Sequence, residues 1–225
     1  MCARSSSRSH LGTLTIGDAM TTGFVAWRRY GEHGALIEFD TADATLNAYG
    51  VCRSGAFDEC VPGARTIYVE AAGRTSAELV RMVESMLRDP PMVVRAEAVR
   101  THIFPVHYDG ADLENVANIT GLSVEDVIQR HSGVTYTVAF LGFSRSFAYL
   151  AGIDPAIIVP RLQTPRTLVP EGSVAIGAGY TGIYPMASPG GWQLLGRTDS
   201  VLFDTANDPP GIWATGDRVR FVRVV

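Results

Sequence analysis

Apolar and polar positions alternate in short runs through the first part of this chain. Val25 to Arg29 and Ala35 to Phe39 lie around Gly31 and Gly34, and the second run alternates before Glu38 and Asp40. Such runs around glycine turns predict two strands that can pair as a hairpin. Thr41 to Tyr49 carries a weak helical pattern. Val61-Pro62-Gly63 then leads into Thr66 to Glu70, where Ile67 and Val69 alternate as a half-buried strand requires. From Leu79 the period changes. Thr75 with Glu78 three residues on supplies a capping box for a helix, and Leu79, Val80, Met82, Val83, Met86 and Leu87 follow as its apolar positions. Asp89-Pro90-Pro91 stops it, because proline disfavours α conformation in the residue before it, and marks the expected domain boundary.

The second part opens on alternating Ile103, Pro105 and His107 and a Tyr108-Asp109-Gly110 turn. Asp112 to Ile119 and Ser123 to His131 read as two short helices, the second capped by Ser123 and answered by Asp126. From Val134 the pattern becomes short strands between glycines and prolines: Val134 to Phe140, Leu168 and Val169, Ser173 to Ile176, Gly182 to Met186, Trp192 to Gly196, and Arg218 to Val224. Many short strands with glycine corners predict a closed or nearly closed barrel. The expectation is therefore a disordered leader over residues 1–22, a small α+β domain over 23–91 and a β-barrel domain over 92–225.

Composition narrows the chemistry. With 46% hydrophobic and 19% charged residues the chain has material for a real core. Its net charge of −4 and lack of a basic stripe argue against nucleic acid, and its apolar runs are far shorter than the ~20 residues that span a bilayer. The start has no apolar run of a secretory signal, and Cys2, Cys52 and Cys60 match no metal spacing, so a cytoplasmic protein with no metal site is expected. All 19 basic residues are arginine. Without lysine there is no Schiff-base nucleophile, no biotin attachment and no P-loop lysine, so if ATP is used, another chain is expected to activate it.

The run Gly142-Phe143-Ser144-Arg145-Ser146-Phe147-Ala148-Tyr149-Leu150 is followed by Pro160-Arg161, Thr164-Pro165-Arg166-Thr167 and Gly172-Ser173-Val174-Ala175-Ile176. Thr181-Gly182-Ile183-Tyr184-Pro185, Ser188-Pro189-Gly190-Gly191-Trp192, Gly196-Arg197-Thr198 and Gly216-Asp217-Arg218-Val219-Arg220-Phe221 come after them. In this order and spacing they resemble the KipI family, also called allophanate hydrolase subunit 1, or the C and D subdomains of a carboxyltransferase domain. The resemblance implies a small α+β domain followed by a cyclophilin-like β-barrel. It also implies a larger partner of the KipA or allophanate hydrolase subunit 2 type, with a third component in the 5-oxoprolinase system. The activity implied is ATP-dependent opening of a cyclic amide, 5-oxoproline to L-glutamate, with ATP used by the complex. Two other readings remain open under the same resemblance: an inhibitor that binds a sensor histidine kinase, and an allophanate- or urea-processing subunit. The family usually has Pro-Gly where this chain has Arg145-Ser146, Gln where it has Tyr180, and Gly-Asp where it has Glu32-His33.

Opening a lactam requires a group that holds the substrate carboxylate and donors that meet developing charge. Arg166 is the candidate for the first task, since a guanidinium meets a carboxylate in two hydrogen bonds; its alternative is to cap barrel-loop carbonyls. His131 is the candidate base, or a helix-end residue favoured by the dipole. Phe143, Ser173, Thr181 and Gln193 complete the candidate substrate contacts, with Phe147, Tyr149, Tyr184 and Trp192 either as pocket wall or as core.

Overall fold

The computed structural model describes residues 23–53, 55–90 and 99–224. The leader expected over 1–22 and the boundary residue Pro91 lie outside them. The chain forms two compact units, Met1–Glu97 and Ala98–Val225.

In the first unit, β1 (Phe24–Tyr30) and β2 (Gly34–Phe39) form the hairpin the alternation predicts, and β2 pairs on with β4 (Thr66–Glu70). β3 (Glu59–Pro62) pairs with β4 and completes an antiparallel sheet of order β1-β2-β4-β3. Sequence reading stopped at the Pro62-Gly63 turn and missed β3, which has no apolar alternation and depends on β4 for its hydrogen bonds. Ala35, Ile37, Ile67 and Val69 point to one face and are fully buried against α1 (Ala42–Cys52) and α2 (Ser76–Arg88). Thr75 caps α2 as expected, its hydroxyl accepting from Glu78 N–H while the Glu78 carboxylate accepts from Thr75 N–H at 2.8 Å.

The second unit is a nearly closed mixed barrel, as a cyclophilin-like fold requires. Seven strands run in the order β12-β9-β10-β7-β6-β13-β5. They are β5 (Thr101–Val106), β6 (Tyr136–Leu141), β7 (Ala148–Ala151), β9 (Ser173–Gly177), β10 (Tyr180–Ile183), β12 (Gln193–Arg197) and β13 (Arg218–Arg223). Among the described strands only β13 and β5 pair in parallel. The seam between the end strands is bridged where His107 and Arg197 exchange two backbone hydrogen bonds of 2.9 Å and where the N–H groups of Gly110 and Asp112 donate to the Leu195 and Leu194 carbonyls at 3.1 and 3.0 Å. Gly110 and Gly196 permit that close approach, because a Cβ on either would collide with backbone across the seam.

Alternate strand residues fill the interior with Val138, Leu150, Val174, Ile176 and Phe221, and α3 (Leu113–Thr120) and α4 (Val124–Ser132) pack on it through Val116, Val127 and Ile128. Ser123 caps α4 with the Asp126 box read from sequence. Outside the barrel, β8 (Arg166–Val169) and β11 (Ser188–Gly190) form a two-stranded flap. β7 and β11 were not expected, since neither four nor three residues suffice to show a period. Among the described residues no helix is long and apolar enough to cross a membrane.

Candidate functional site

The expected site residues separate into two groups. His131 and Thr181 meet inside the barrel. The ring of His131 is fully buried and stacks on Phe221 with centroids 4.7 Å apart. Thr181 gives its single proton to the Ala175 carbonyl at 3.0 Å, so His131 Nε2–H donates to Thr181 Oγ1 at 2.8 Å. His131 Nδ1 is left as the acceptor for the Tyr108 hydroxyl at 2.8 Å. Every proton in this chain has one place to go. Burial lowers the imidazole from 6.5 to about 3 and raises the Tyr108 phenol. A neutral ring with both nitrogens engaged and no solvent exposure is placed to hold α4 against β10 rather than to exchange protons with a substrate.

Arg166 lies apart from this hydrogen-bonded chain, on the flap outside the barrel, while Gln193 stands opposite Ile176 on β9 and so shares the interior face. Arg166 opens the flap strand β8, and its Nη2 donates to Asp112 Oδ1 at 2.7 Å. Asp112 is buried just before α3, yet it makes no side-chain cap bond there. Its second oxygen accepts from Leu194 N–H at 2.7 Å. One carboxylate thus ties a helix start, a barrel strand and the flap arginine together. Gln193, beside Leu194 on β12, is buried and held from both ends, accepting from Asn115 Nδ2 at 3.1 Å and donating to the Pro160 carbonyl at 3.3 Å. Ser173 is also buried on β9, where its carbonyl accepts from Tyr184 N–H at 2.9 Å.

The outer face differs from the interior in one respect. Arg166 Nη1 is buried and has no hydrogen-bond partner among the described residues. The same holds for Ser188 Oγ on the paired flap strand and for Ser144 Oγ in the Gly142–Phe147 loop. Buried polar groups are rarely left unpaired without reason, and a guanidinium with Nη2 fixed by Asp112 and Nη1 buried without a partner keeps a donor to offer an anion. Phe143 is exposed in the same loop at a φ of 69° and sets its ring edge-on to Phe147 and Tyr184. Tyr184 links loop and arginine: burial raises its phenol, while the Trp192 N–H, Arg161 and Arg166 pull the other way. The remaining aromatics, Phe147, Tyr149 and Trp192, pack edge to face at 5.2–5.5 Å as a compact cluster. Among the described residues no three His, Cys, Asp or Glu side chains converge as metal ligands would.

The family model described as "Carboxyltransferase domain, subdomain C and D" matches residues 25–213. The chain belongs to that family. Three bacterial proteins named as the B component of 5-oxoprolinase match at 46% to 51% identity. That of Escherichia coli O157:H7 is 51% identical over 121 residues, which cover 52% of this chain and 56% of the relative; the match therefore spans about half the length of these proteins. A solved structure of a conserved uncharacterized protein from Pyrococcus horikoshii is 33% identical, covering 88% of this chain and 97% of that one with a TM-score of 0.54. The urea carboxylase of Kluyveromyces lactis covers 89% of this chain, and this chain covers 22% of it, with a TM-score of 0.70 at 19% identity. That last likeness is one of fold alone.

Within this carboxyltransferase-domain chain the residues that sequence reading did not single out are Asp112, Asn115 and Tyr184's link to the arginine. Asp112 reads locally as the start of a helix. Its partner lies 54 positions away, and nothing in the sequence pairs them.

Proposed function

We propose that this chain is the corresponding component of an ATP-dependent amide hydrolase of the 5-oxoprolinase type, acting with a larger KipA-type partner and inactive alone. In this reading a small α+β domain over 23–91 precedes a cyclophilin-like barrel domain over 92–225. The observation that carries the reading is the 46% to 51% identity to proteins named as the B component of 5-oxoprolinase, joined to an arginine with one buried nitrogen left unpaired.

The substrate, 5-oxoproline, has a resonance-stabilised lactam and an α-carboxylate. ATP used by the complex transfers its γ-phosphoryl group to the lactam oxygen and leaves as ADP; one water adds to the activated carbon and the C–N bond breaks with the nitrogen taking a proton, giving an acyl phosphate, and a second water displaces phosphate to leave L-glutamate. Arg166 Nη1 donates to the α-carboxylate while Asp112 holds Nη2, so the guanidinium arrives already oriented and little side-chain entropy is lost on binding. Phe143 and Tyr184 flank the ring, and the partner supplies the nucleotide-activating groups that a lysine-free chain lacks.

A match to the urea amidolyase of Saccharomyces cerevisiae, 27% identical over 124 residues, favours one second reading, a component for urea-derived amides. The test of both is co-expression with the neighbouring gene for the larger partner and with the remaining component, followed by assay of ATP-dependent glutamate release. Activity on 5-oxoproline supports the first reading; turnover of allophanate or urea instead supports the second, and neither with all components present overturns both.

A further inference from the structure

β5 is the last strand of the barrel sheet and pairs with β13. In a parallel ladder the N–H and C=O of one residue point to the same side, and successive residues point to opposite sides. Arg218 N–H donates to the Arg100 carbonyl at 2.8 Å and Val224 N–H to the Val106 carbonyl at 3.0 Å, which turns the even-numbered residues toward β13. His107, an odd position, points the other way and bonds Arg197 across the seam. The N–H and C=O of Thr101 and Ile103 therefore face away from β13, and among the described residues nothing pairs them there. Pro105, at the next outward position, has no N–H to leave unpaired, as suits an edge strand. This edge lines a cavity of about 530 Å³ bounded by residues 100–104 and by Asn207, Pro209, Pro210, Gly211 and Ile212. A cavity that follows five consecutive residues of one strand matches an extended chain rather than a compact ligand.

We propose that the outer edge of β5 is a docking site for an extended, acidic peptide segment of another protein, which adds to the barrel sheet as an eighth strand. Main-chain bonds to Thr101 and Ile103 hold the segment in register, and the Ile103 side chain, 59% exposed, gives it an apolar contact. Charge selects the class of segment. Asp217, beside the cavity, already accepts from Arg100 N–H and Nη2, from His102 Nε2 and from Ala214 N–H at 2.8–3.2 Å. That carboxylate is saturated, whereas the Arg100 side chain is 49% exposed and has N–H groups beyond the one that Asp217 holds. The residues lining the cavity include an arginine and a histidine and no carboxylate. A glutamate or aspartate on the added strand meets Arg100, and a lysine there meets a like charge.

The test titrates the full chain into fluorescein-labelled Val-Glu-Val-Glu-Val-amide and follows anisotropy. Binding should saturate at one peptide per chain, and the Thr101 and Ile103 amides should gain protection from hydrogen exchange. Ile103→Pro deletes an outward donor without touching the bonds to β13, and the strand already carries Pro105 at the equivalent position two residues on. It should weaken binding about tenfold or more in a chain that still melts cooperatively. Replacing both peptide glutamates by lysine should weaken binding by a similar factor. Arg100→Gln should erase that preference for glutamate over lysine, which keeps the proposal testable should Ile103→Pro not fold. No saturable binding, protection that falls outside β5, an equally tight lysine peptide, or equal binding by a folded Ile103→Pro chain would each overturn the proposal. So would self-association of the chain that Ile103→Pro abolishes, since a second copy would then take the edge.

Discussion

The barrel interior around His131 and the outer face around Arg166 are built from the same kinds of group, yet they differ in one valence. Inside, Tyr108, His131, Thr181 and the Ala175 carbonyl form a chain in which every donor and acceptor is matched. Outside, Asp112 fixes one half of the guanidinium and leaves Nη1 unpaired. A residue type that often does chemistry is here a structural pin, and the residue beside an ordinary ion pair is the one with bonding capacity to spare. Saturation separates the two, and residue identity does not.

The largest expected effect breaks the interior. His131→Ala leaves the Tyr108 hydroxyl without an acceptor and opens a cavity beside Phe221, and should cost about 3 kcal/mol in urea denaturation. On the outer face, Asp112→Ala removes the counter-ion of Arg166 and the acceptor for Leu194 N–H. The arginine side chain is 28% exposed, so water takes up part of the charge and the loss should be nearer about 2 kcal/mol in the same assay.

The pH dependence sharpens the contrast. Folded His131 stays neutral down to about pH 3, whereas unfolded it protonates near 6.5. The unfolded chain therefore binds more protons between those values. Its contribution to stability is complete above pH 6.5 and declines by about 1.4 kcal/mol per pH unit on acidification. His131→Gln should flatten the fall in unfolding free energy between pH 6.5 and 5, and an unchanged slope would place the titration elsewhere. The smallest effect lies at the other end of the helix that carries His131: Ser123→Ala removes the α4 cap bond and should cost about 1 kcal/mol by thermal melting.

What could be read from sequence follows the distance between partners. The Thr75–Glu78 and Ser123–Asp126 boxes were legible because both members sit three residues apart and report a local event. The β1–β2 hairpin was legible for the same reason. β7 and β11, at four and three residues, carry no period of their own and exist because neighbours complete their hydrogen bonds. His131 and Arg166 were both visible as chemistry-bearing residues in motif segments. Their opposite circumstances were not, since the groups that saturate His131 lie 23 and 50 positions away and the carboxylate on Arg166 lies 54 away. The Gly142–Phe147 loop shows the same limit. Ser146 holds a φ of 58°, a glycine-favouring conformation, and is pinned there by its hydroxyl on the Leu202 carbonyl and by Trp213 Nε1 on its own carbonyl. The departure from Pro-Gly was plain in sequence, but its compensation comes from a distant segment.

The unpaired Nη1 of Arg166 is tested most directly by steady-state kinetics of the assembled complex with 5-oxoproline, comparing the unaltered chain with Arg166→Gln. If Nη1 holds the substrate carboxylate, KM should rise about tenfold or more, the equivalent of about 1.4 kcal/mol, while kcat changes much less. A KM left where it was, in a complex that still assembles and turns over, would contradict the account.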